Sequence, residues 1–223
     1  MDMLTLSPAG GRIRCALNRS TRVETPYRYW LLHRVLPMDL AQALTELPFP
    51  APPIADTLGK RETHNGQRIF VSAENRARFP ACAELAEAFQ DDATVALLQD
   101  MTGAQLNGSS LRIECCLDTD GFWLEPHTDI GAKMLTLLVY LSDHSDAADW
   151  GTDVMDPAGN VLARAPGTFN EGLLFVPAAD TWHGFARRPI RGLRRSLIVN
   201  YVKPEWRSRH ELAFPDQAVV GTV

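Results

Sequence analysis

The sequence lacks any apolar run of the roughly 18 residues that a membrane-spanning helix needs, so no membrane segment is expected. Residues 1–11 lack the basic and apolar regions of a secretory signal peptide. The net charge of -5 gives no basic field for nucleic acid, so no nucleic-acid partner is expected. These absences favour a cytoplasmic protein, and they indicate nothing about its oligomeric state.

Cysteine is also scarce, and no two cysteines form a C-x-x-C pair. The chain has four, at Cys15, Cys82, Cys115 and Cys116. Adjacent cysteines rarely bridge, and unpaired thiols are typical of a reducing cytoplasm. A cysteine-rich zinc site is therefore not expected.

The apolar pattern divides the chain into a helical half and a strand-rich half. Helical spacing marks three segments: 38–47, 80–89 and 91–101. Gly103 closes the last of these. Weak alternation over 1–22 predicts one or two short edge strands, and 26–36 resembles a strand that runs into a helix.

After Gly103 the chain consists of short strand-like runs separated by turns. The runs are 110–117, 135–141, 161–163, 173–176 and 196–202. This order predicts a mainly β fold, in which a sandwich or barrel packs against flanking N-terminal helices. A single domain over 1–223 is expected, with helical support over about 1–104, a β core over about 105–205 and a C-terminal tail over 206–223.

The segment 49–79 is rich in proline, glycine and charge, and loops of that length often form lids or bind ligands. Four basic residues in it are candidate substrate contacts: Arg61, His64, Arg68 and Arg76. Taken singly, each is better explained as solvated surface charge.

His127 and Asp129 stand two residues apart, just before an apolar strand. In an extended segment, residues i and i+2 point to the same face, so both side chains can converge on one metal ion. Two histidines and one carboxylate form the ligand set of non-haem Fe(II) oxygenases. His183 is the candidate for the second histidine, because it follows the strand-like run 173–177 at a predicted strand end.

Arg194 begins the last strand and shares a face with Ser196. A guanidinium that faces inward on an apolar strand needs an anion, and its planar fork binds a carboxylate through two hydrogen bonds. A carboxylate-bearing cosubstrate near the metal would meet that need. The neighbouring Arg195 remains an alternative binder of this carboxylate.

Three motifs occur in a fixed order: His127-x-Asp129, His183 and Arg194-x-Ser196. This order resembles the 2-oxoglutarate- and Fe(II)-dependent oxygenases, in their prolyl-hydroxylase-like branch. Residues 134–142 are similar to the strand that follows H-x-D in that branch, and Trp150-Gly151-Thr152 is similar to its Gly-Gly-Thr turn. The likeness covers about residues 105–205. One departure is that the strand 111–117 lacks the tyrosine that this branch often places near the cosubstrate.

The resemblance implies a double-stranded β-helix (a jelly-roll, cupin-like core) in which His127, Asp129 and His183 hold Fe(II). 2-Oxoglutarate would chelate the metal, and its far carboxylate would contact Arg194 and Tyr140, with Ser196 beside them. Together with O2, these groups would hydroxylate a C–H bond of an unidentified small molecule and release succinate and CO2. The carboxylate of Asp129 favours hydroxylation over halogenation. A non-catalytic cupin-like metal-binding protein stays open as an alternative, as do 2-oxoglutarate-dependent demethylation, desaturation and epimerisation.

Further side chains are expected near the mouth of the barrel. Candidate substrate contacts or cavity residues are Trp123, Lys133, Trp150, Trp182 and Asn200. For the tryptophans, packing is the simpler interpretation. Arg112 and Glu114 share a face and form either a substrate-binding pair or, more simply, a structural ion pair.

Overall fold

Residues 8–62 and 67–222 are described here from a computed structural model. Within these ranges, eleven strands form two antiparallel sheets. The strands are β1 (Thr21–Val23), β2 (Tyr29–His33), β3 (Ile69–Phe70), β4 (Ser110–Asp118), β5 (Leu124–His127), β6 (Lys133–Tyr140), β7 (Asp153–Met155), β8 (Val161–Arg164), β9 (Glu171–Phe175), β10 (His183–Phe185) and β11 (Arg194–Val202). The larger sheet has the order β1-β2-β9-β6-β11-β4-β3, and the smaller has the order β5-β10-β7-β8.

Five helices accompany the sheets in the first half of the described chain. They are α1 (Pro8–Asn18), α2 (Met38–Thr45), α3 (Ala73–Arg78), α4 (Pro80–Gln90) and α5 (Asp92–Thr102). Gly103 ends α5 in the left-handed conformation, with φ of 79°. The expected mainly β architecture with flanking N-terminal helices is confirmed.

Alternation along the central strands separates two environments. On β6, Leu135, Leu137 and Val139 belong to a core that the helices share. The intervening Leu138 and Tyr140 belong to a second cluster between the two sheets, together with residues of β7 and β9. Because side chains alternate across a strand, the larger sheet is apolar towards the helices and presents its other face to the interior.

The prediction of edge strands over 1–22 is wrong for residues 8–18, which form α1, and residues 1–7 lie outside the described part of the chain. Ala9, Ile13 and Leu17 recur every four residues and are buried, whereas Cys15 is only half-buried. Alternation and helical spacing coexist in this stretch, and packing of α1 against α4 and α5 decides between them. An edge strand does follow, as β1.

The segment 49–79 is less irregular than its composition suggests. Its last third contains β3 and α3, and the side chain of Ser72 caps α3 by accepting a hydrogen bond from the backbone N–H of Asn75 (3.3 Å). The C-terminal residues pack onto the domain as well. The N–H of Ala213 donates to the carbonyl of Leu111, and that of Val219 donates to the carbonyl of Ser109.

Within the described ranges, no helix combines the length and apolar character that spanning a membrane requires.

Candidate metal centre and its cavity

Two strands of the smaller sheet bring the candidate metal ligands together. His127 is the last residue of β5 and His183 the first of β10, and the two are directly paired across these strands. Their ring centroids are 4.4 Å apart. Asp129 follows β5, and one candidate ligand atom from each of the three residues lies within 4.8 Å of the others. The three side chains predicted to hold a metal therefore converge on one point.

Both imidazoles have the tautomer that metal binding requires. The Nδ1 of His127 lies 2.8 Å from the carbonyl oxygen of Glu125, and the Nδ1 of His183 lies 2.9 Å from that of Thr181. A carbonyl oxygen can only accept, so each Nδ1 carries the proton and donates it. Each Nε2 then keeps a lone pair for a metal ion.

The protonation states also suit a divalent cation. Burial, with a smaller contribution from His127, lowers the pKa of His183 to about 4, so this imidazole is neutral at pH 7. Burial alone would raise the pKa of Asp129. The positive charge of Lys133, and hydrogen bonds from Lys133 and Thr136, outweigh burial and lower this pKa to about 2. Asp129 is therefore ionised, and the set fits a 2-His-1-carboxylate centre.

The Asp129 carboxylate is oriented by a chain of polar side chains. Lys133 Nζ donates to its Oδ1 (2.5 Å), and Thr136 Oγ1 donates to its Oδ2 (2.6 Å). Asn200 Nδ2 in turn donates to Thr136 Oγ1 (2.9 Å). Partners of this kind fix the orientation of a ligating carboxylate, and their loss commonly weakens metal binding.

A cavity of about 330 Å³ opens beside the three candidate ligands, and Arg194 and Ser196 line it. Ser196 Oγ is buried and has no hydrogen-bond partner among the described residues. Arg195 lies on the opposite face of β11, where it lines a small separate cavity with residues of α2. Arg194, and not Arg195, is therefore the arginine that faces the candidate metal centre.

Arg194 has a protein partner that the sequence pattern did not reveal. It forms an ion pair with Asp118, the residue opposite it on β4, and its Nε donates to the carbonyl oxygen of Trp150 (2.7 Å). Arg61 approaches the same carboxylate, with Nη1 at 3.1 Å. Two guanidinium groups thus share one acidic side chain, so this cluster retains one positive charge beside the cavity.

Tyr140 faces the interior, but it does not line this cavity. Its hydroxyl oxygen accepts a hydrogen bond from the backbone N–H of Thr152 (3.1 Å). The hydroxyl proton therefore points elsewhere, and Tyr140 can still donate. Thr152 itself lines the cavity, so the tyrosine lies one residue behind the cavity wall.

The four basic candidates of the segment 49–79 have different surroundings. Arg61 and Arg68 line the cavity. Arg76 does not; it donates to the carbonyl oxygen of Ala213 (2.8 Å) and stacks on Phe214 (3.5 Å), which is a structural role. His64 lies outside the described residues.

Arg112 and Glu114 belong to a buried ion-pair network on the inner face of β4. Arg112 Nη2 lies 3.3 Å from Glu114, and its Nε lies 2.5 Å from Glu211. Arg68 also pairs with Glu114 (2.5 Å). The guanidinium of Arg112 lies over the rings of Phe70 and Trp206. The structural interpretation of the Arg112–Glu114 pair is thus supported, although both residues also line the cavity.

Trp123 and Trp150 have the packing role that was the simpler interpretation of the sequence. Trp150 is buried and donates to the carbonyl oxygen of Pro189 (3.2 Å), and Trp123 donates to Asp56 (2.6 Å); neither lines the cavity. Trp182 is half-buried next to His183. Trp206, which the sequence pattern did not single out, does line the cavity. It follows β11 in an irregular segment, where no periodic signal marks it.

No family model and no curated protein matches the sequence. Solved structures do match its fold. A prolyl-4-hydroxylase from Pseudomonas putida is 18% identical over 88% of this chain and 96% of its own, with a TM-score of 0.52. A prolyl hydroxylase from Trichoplax adhaerens, in complex with a hypoxia-inducible-factor peptide, is 15% identical over 87% and 89%, with a TM-score of 0.56. HygX from Streptomyces hygroscopicus, with nickel and 2-oxoglutarate bound, is 17% identical over 87% and 90%, with a TM-score of 0.51.

These matches confirm the expected fold, which the chain shares with the two prolyl hydroxylases and with HygX. The two sheets of this chain form the double-stranded β-helix that the motif order implied. At such low identity, residue roles rest on the geometry of this chain alone.

Proposed function

We propose that this protein is an Fe(II)- and 2-oxoglutarate-dependent dioxygenase that hydroxylates a C–H bond of a small molecule and releases succinate and CO2. One observation carries the proposal. His127, Asp129 and His183 converge at a cavity that also contains the inward-facing Arg194. The proposed metal ligands and the proposed carboxylate binder thus line one cavity.

In this proposal the Nε2 atoms of His127 and His183 and the carboxylate of Asp129 hold the iron. When bound, iron and 2-oxoglutarate supply the oxidising chemistry. The protein holds both imidazoles in the metal-binding tautomer through the carbonyl groups of Glu125 and Thr181. It also keeps Asp129 ionised and oriented through Lys133 and Thr136.

The far carboxylate of 2-oxoglutarate is assigned to Arg194, with Ser196 and Tyr140 as further partners. The positive charge left by the Arg61–Asp118–Arg194 cluster favours an anion at this position. The buried Ser196 Oγ lacks a hydrogen-bond partner among the described residues, and a carboxylate oxygen would satisfy it. The Tyr140 hydroxyl keeps its proton but lies behind Thr152 in the cavity wall, so its contribution to this ligand would pass through that residue.

The inward-facing Arg194 favours this enzyme over a cupin-like protein that only binds a metal. A metal-binding protein does not require a guanidinium group at the inner end of the cavity. Hydroxylation, demethylation and desaturation share the same ligand set, so product analysis must separate them. A cytoplasmic location is part of the proposal and is supported by the four cysteines, which are all free thiols.

The decisive experiment measures iron content, 2-oxoglutarate binding and succinate release in the same preparations. We expect the wild-type protein to bind one Fe(II), to bind 2-oxoglutarate only when the metal is present, and to release succinate in air. We expect Asp129→Ala to lose the metal and, with it, 2-oxoglutarate binding. Asp149→Ala, at an exposed acidic residue, is the matched control and should retain both. Full iron content in Asp129→Ala would refute the metal assignment.

A further inference from the structure

The cavity is lined by many charged side chains of both signs. Among the described residues, six cationic and four acidic side chains line it, and Asp118 and Glu211 pair with three of the cations from behind the lining. The cations are Lys60, Arg61, Arg68, Arg112, Lys133 and Arg194. A divalent metal ion and the dianion 2-oxoglutarate carry opposite charges that cancel. The charges of the cavity and of both ligands are thus close to balance, so a further ligand must be recognised through individual donors.

The cavity has a second end, distant from the position assigned to the cosubstrate. Arg194 and Asn200 share the inner face of β11 but are six residues apart, or about 20 Å along a strand. Asn200 contacts both Thr136, which holds Asp129, and Arg112 (3.4 Å to Nη1). Arg112 lies 5.2 Å from the Trp206 ring. Trp206 is thus connected to the metal side of the cavity by direct contacts.

The indole nitrogen of Trp206 is an unsatisfied donor at this end. Nε1 is buried and has no hydrogen-bond partner in the part of the chain that the structure describes. An indole N–H can only donate, so it requires an acceptor. Buried donors of this kind are normally paired, and here the adjoining space is the cavity. A ligand oxygen would satisfy the indole.

Lys133 contributes a positive charge to the wall of the same cavity. Its ammonium group is balanced by Asp129, at 2.5 Å. A metal ion bound to Asp129 would neutralise part of the negative charge of this carboxylate. The positive charge of Lys133 would then be less completely neutralised by Asp129. Arg112, by contrast, is committed to Glu114, Glu211 and Asn200, so it contributes its field and not an additional contact.

We propose that the cavity takes a small carboxylate-bearing substrate, whose carboxylate accepts hydrogen bonds from the Trp206 indole and the Lys133 ammonium group. This inference rests on the function proposed above and defines its substrate class. Two separate single donors suit the two oxygens of a carboxylate. The cavity of about 330 Å³ is near the lower end of the range for ligand sites and is shared with the cosubstrate. The substrate is therefore of the size of an amino acid or a small organic acid.

The test uses full-length protein loaded with Fe(II) and 2-oxoglutarate in the absence of oxygen. Calorimetric titrations compare small carboxylic acids, amino acids included, with their primary amides and with phosphate esters of similar size. At least one acid should bind about tenfold or more tightly than its amide. Trp206→Phe removes the N–H but keeps a ring, and it should lower the affinity for this acid by about ten- to a hundredfold. Lys133→Met should lower the same affinity as well.

Trp123→Phe is the matched control, because Trp123 lies outside the cavity and donates to Asp56. It should leave the affinity for the acid unchanged. The affinity for 2-oxoglutarate is measured first in every variant, and Trp206→Phe should retain it. A wild-type protein that fails to bind 2-oxoglutarate would contradict the proposed function and not the substrate class alone.

Three results would overturn the carboxylate assignment in a protein that does bind 2-oxoglutarate. Amides could bind as tightly as acids, phosphate esters could bind in place of acids, or no acid could bind in the millimolar range. An unchanged acid affinity in Trp206→Phe would exclude the indole as a contact. Succinate release stimulated by the tightest acid provides a second readout, in which Trp206→Phe should raise KM more than it lowers kcat.

Discussion

Replacing Arg194 by Gln should selectively remove the contact with the far carboxylate of 2-oxoglutarate. The guanidinium pairs with Asp118 and faces the cavity, and Arg61 remains as a second partner of Asp118 after the substitution. The variant therefore keeps the buried carboxylate paired, which limits the cost to folding. The net charge of the Arg61–Asp118–Arg194 cluster falls from one positive charge to zero, so its attraction for an anion is lost.

The expected size of the effect follows from the charged hydrogen bonds that are removed. Such bonds contribute about 2–3 kcal/mol, which corresponds to roughly 30- to 150-fold in Kd. Calorimetry of 2-oxoglutarate binding to the metal-loaded protein, without oxygen, measures the change. Arg195→Gln is the matched control on the opposite face of β11 and should leave Kd unchanged.

Pyruvate makes this test sharper, because it keeps the keto acid and lacks the far carboxylate. If Arg194 contacts that carboxylate, then Arg194→Gln should leave the affinity for pyruvate unchanged. Removing the far carboxylate from the ligand and removing the guanidinium from the protein should each lower affinity. Doing both should lower it little more than either change alone. An Arg194→Gln protein that binds 2-oxoglutarate like the wild type, or that loses affinity for both keto acids equally, would refute the assignment.

Three further predictions follow from the contacts of the site and the core. Thr136→Val removes the hydroxyl donor to Asp129 and should weaken metal affinity by about 10- to 100-fold in a chelator competition. Thr45→Val, at the end of α2 and outside the candidate metal centre, should leave it unchanged. The pKa of His183 is about 4 in the folded protein against 6.5 ordinarily, so the unfolded chain is protonated first as the pH falls. The free energy of unfolding of the metal-free protein should therefore drop by roughly 3 kcal/mol between pH 6.5 and pH 4 in urea titrations, and His183→Asn should lose this dependence. Ile13→Ala removes a fully buried side chain of α1 and should destabilise the protein by about 2–5 kcal/mol in the same titrations.

The sequence was sufficient to predict the residues that converge at the candidate metal centre. His127 and Asp129 are close along the chain, so their shared position needs only local geometry. His183 was predicted from its place at a strand end, and the structure pairs it directly with His127. Their role as metal ligands stays a prediction, because convergence is a condition for binding and not a measurement of it.

The partners of Arg194 could not be predicted, because they depend on strand register. Asp118 lies 76 residues away in sequence and meets Arg194 only through the pairing of β4 with β11. Arg61 comes from a segment whose course the pattern of apolar residues does not determine. The short strands β7 and β10 were missed for a related reason, since three residues are too few to show a period.

In the helix α1, by contrast, a periodic pattern of apolar residues was present but was ambiguous. Ile13 and Leu17 fit both an alternating and a helical spacing. Two adjacent glycines, Gly10 and Gly11, lower the helix propensity of the segment. The helix forms because its buried side packs against other helices, which is information that the segment itself does not contain.

The hydrogen bonds that link Asp129 to Thr136, Asn200 and Arg112 have a consequence for how this protein can change during evolution. The residues that hold the metal carboxylate and those that surround the second end of the cavity belong to one connected network. A substitution at Arg112 that adapts the cavity to a new substrate will also disturb Asn200, and through Asn200 and Thr136 the orientation of Asp129. Substrate range and iron retention are therefore linked traits, and variants selected for a new substrate should need compensating changes that restore metal affinity.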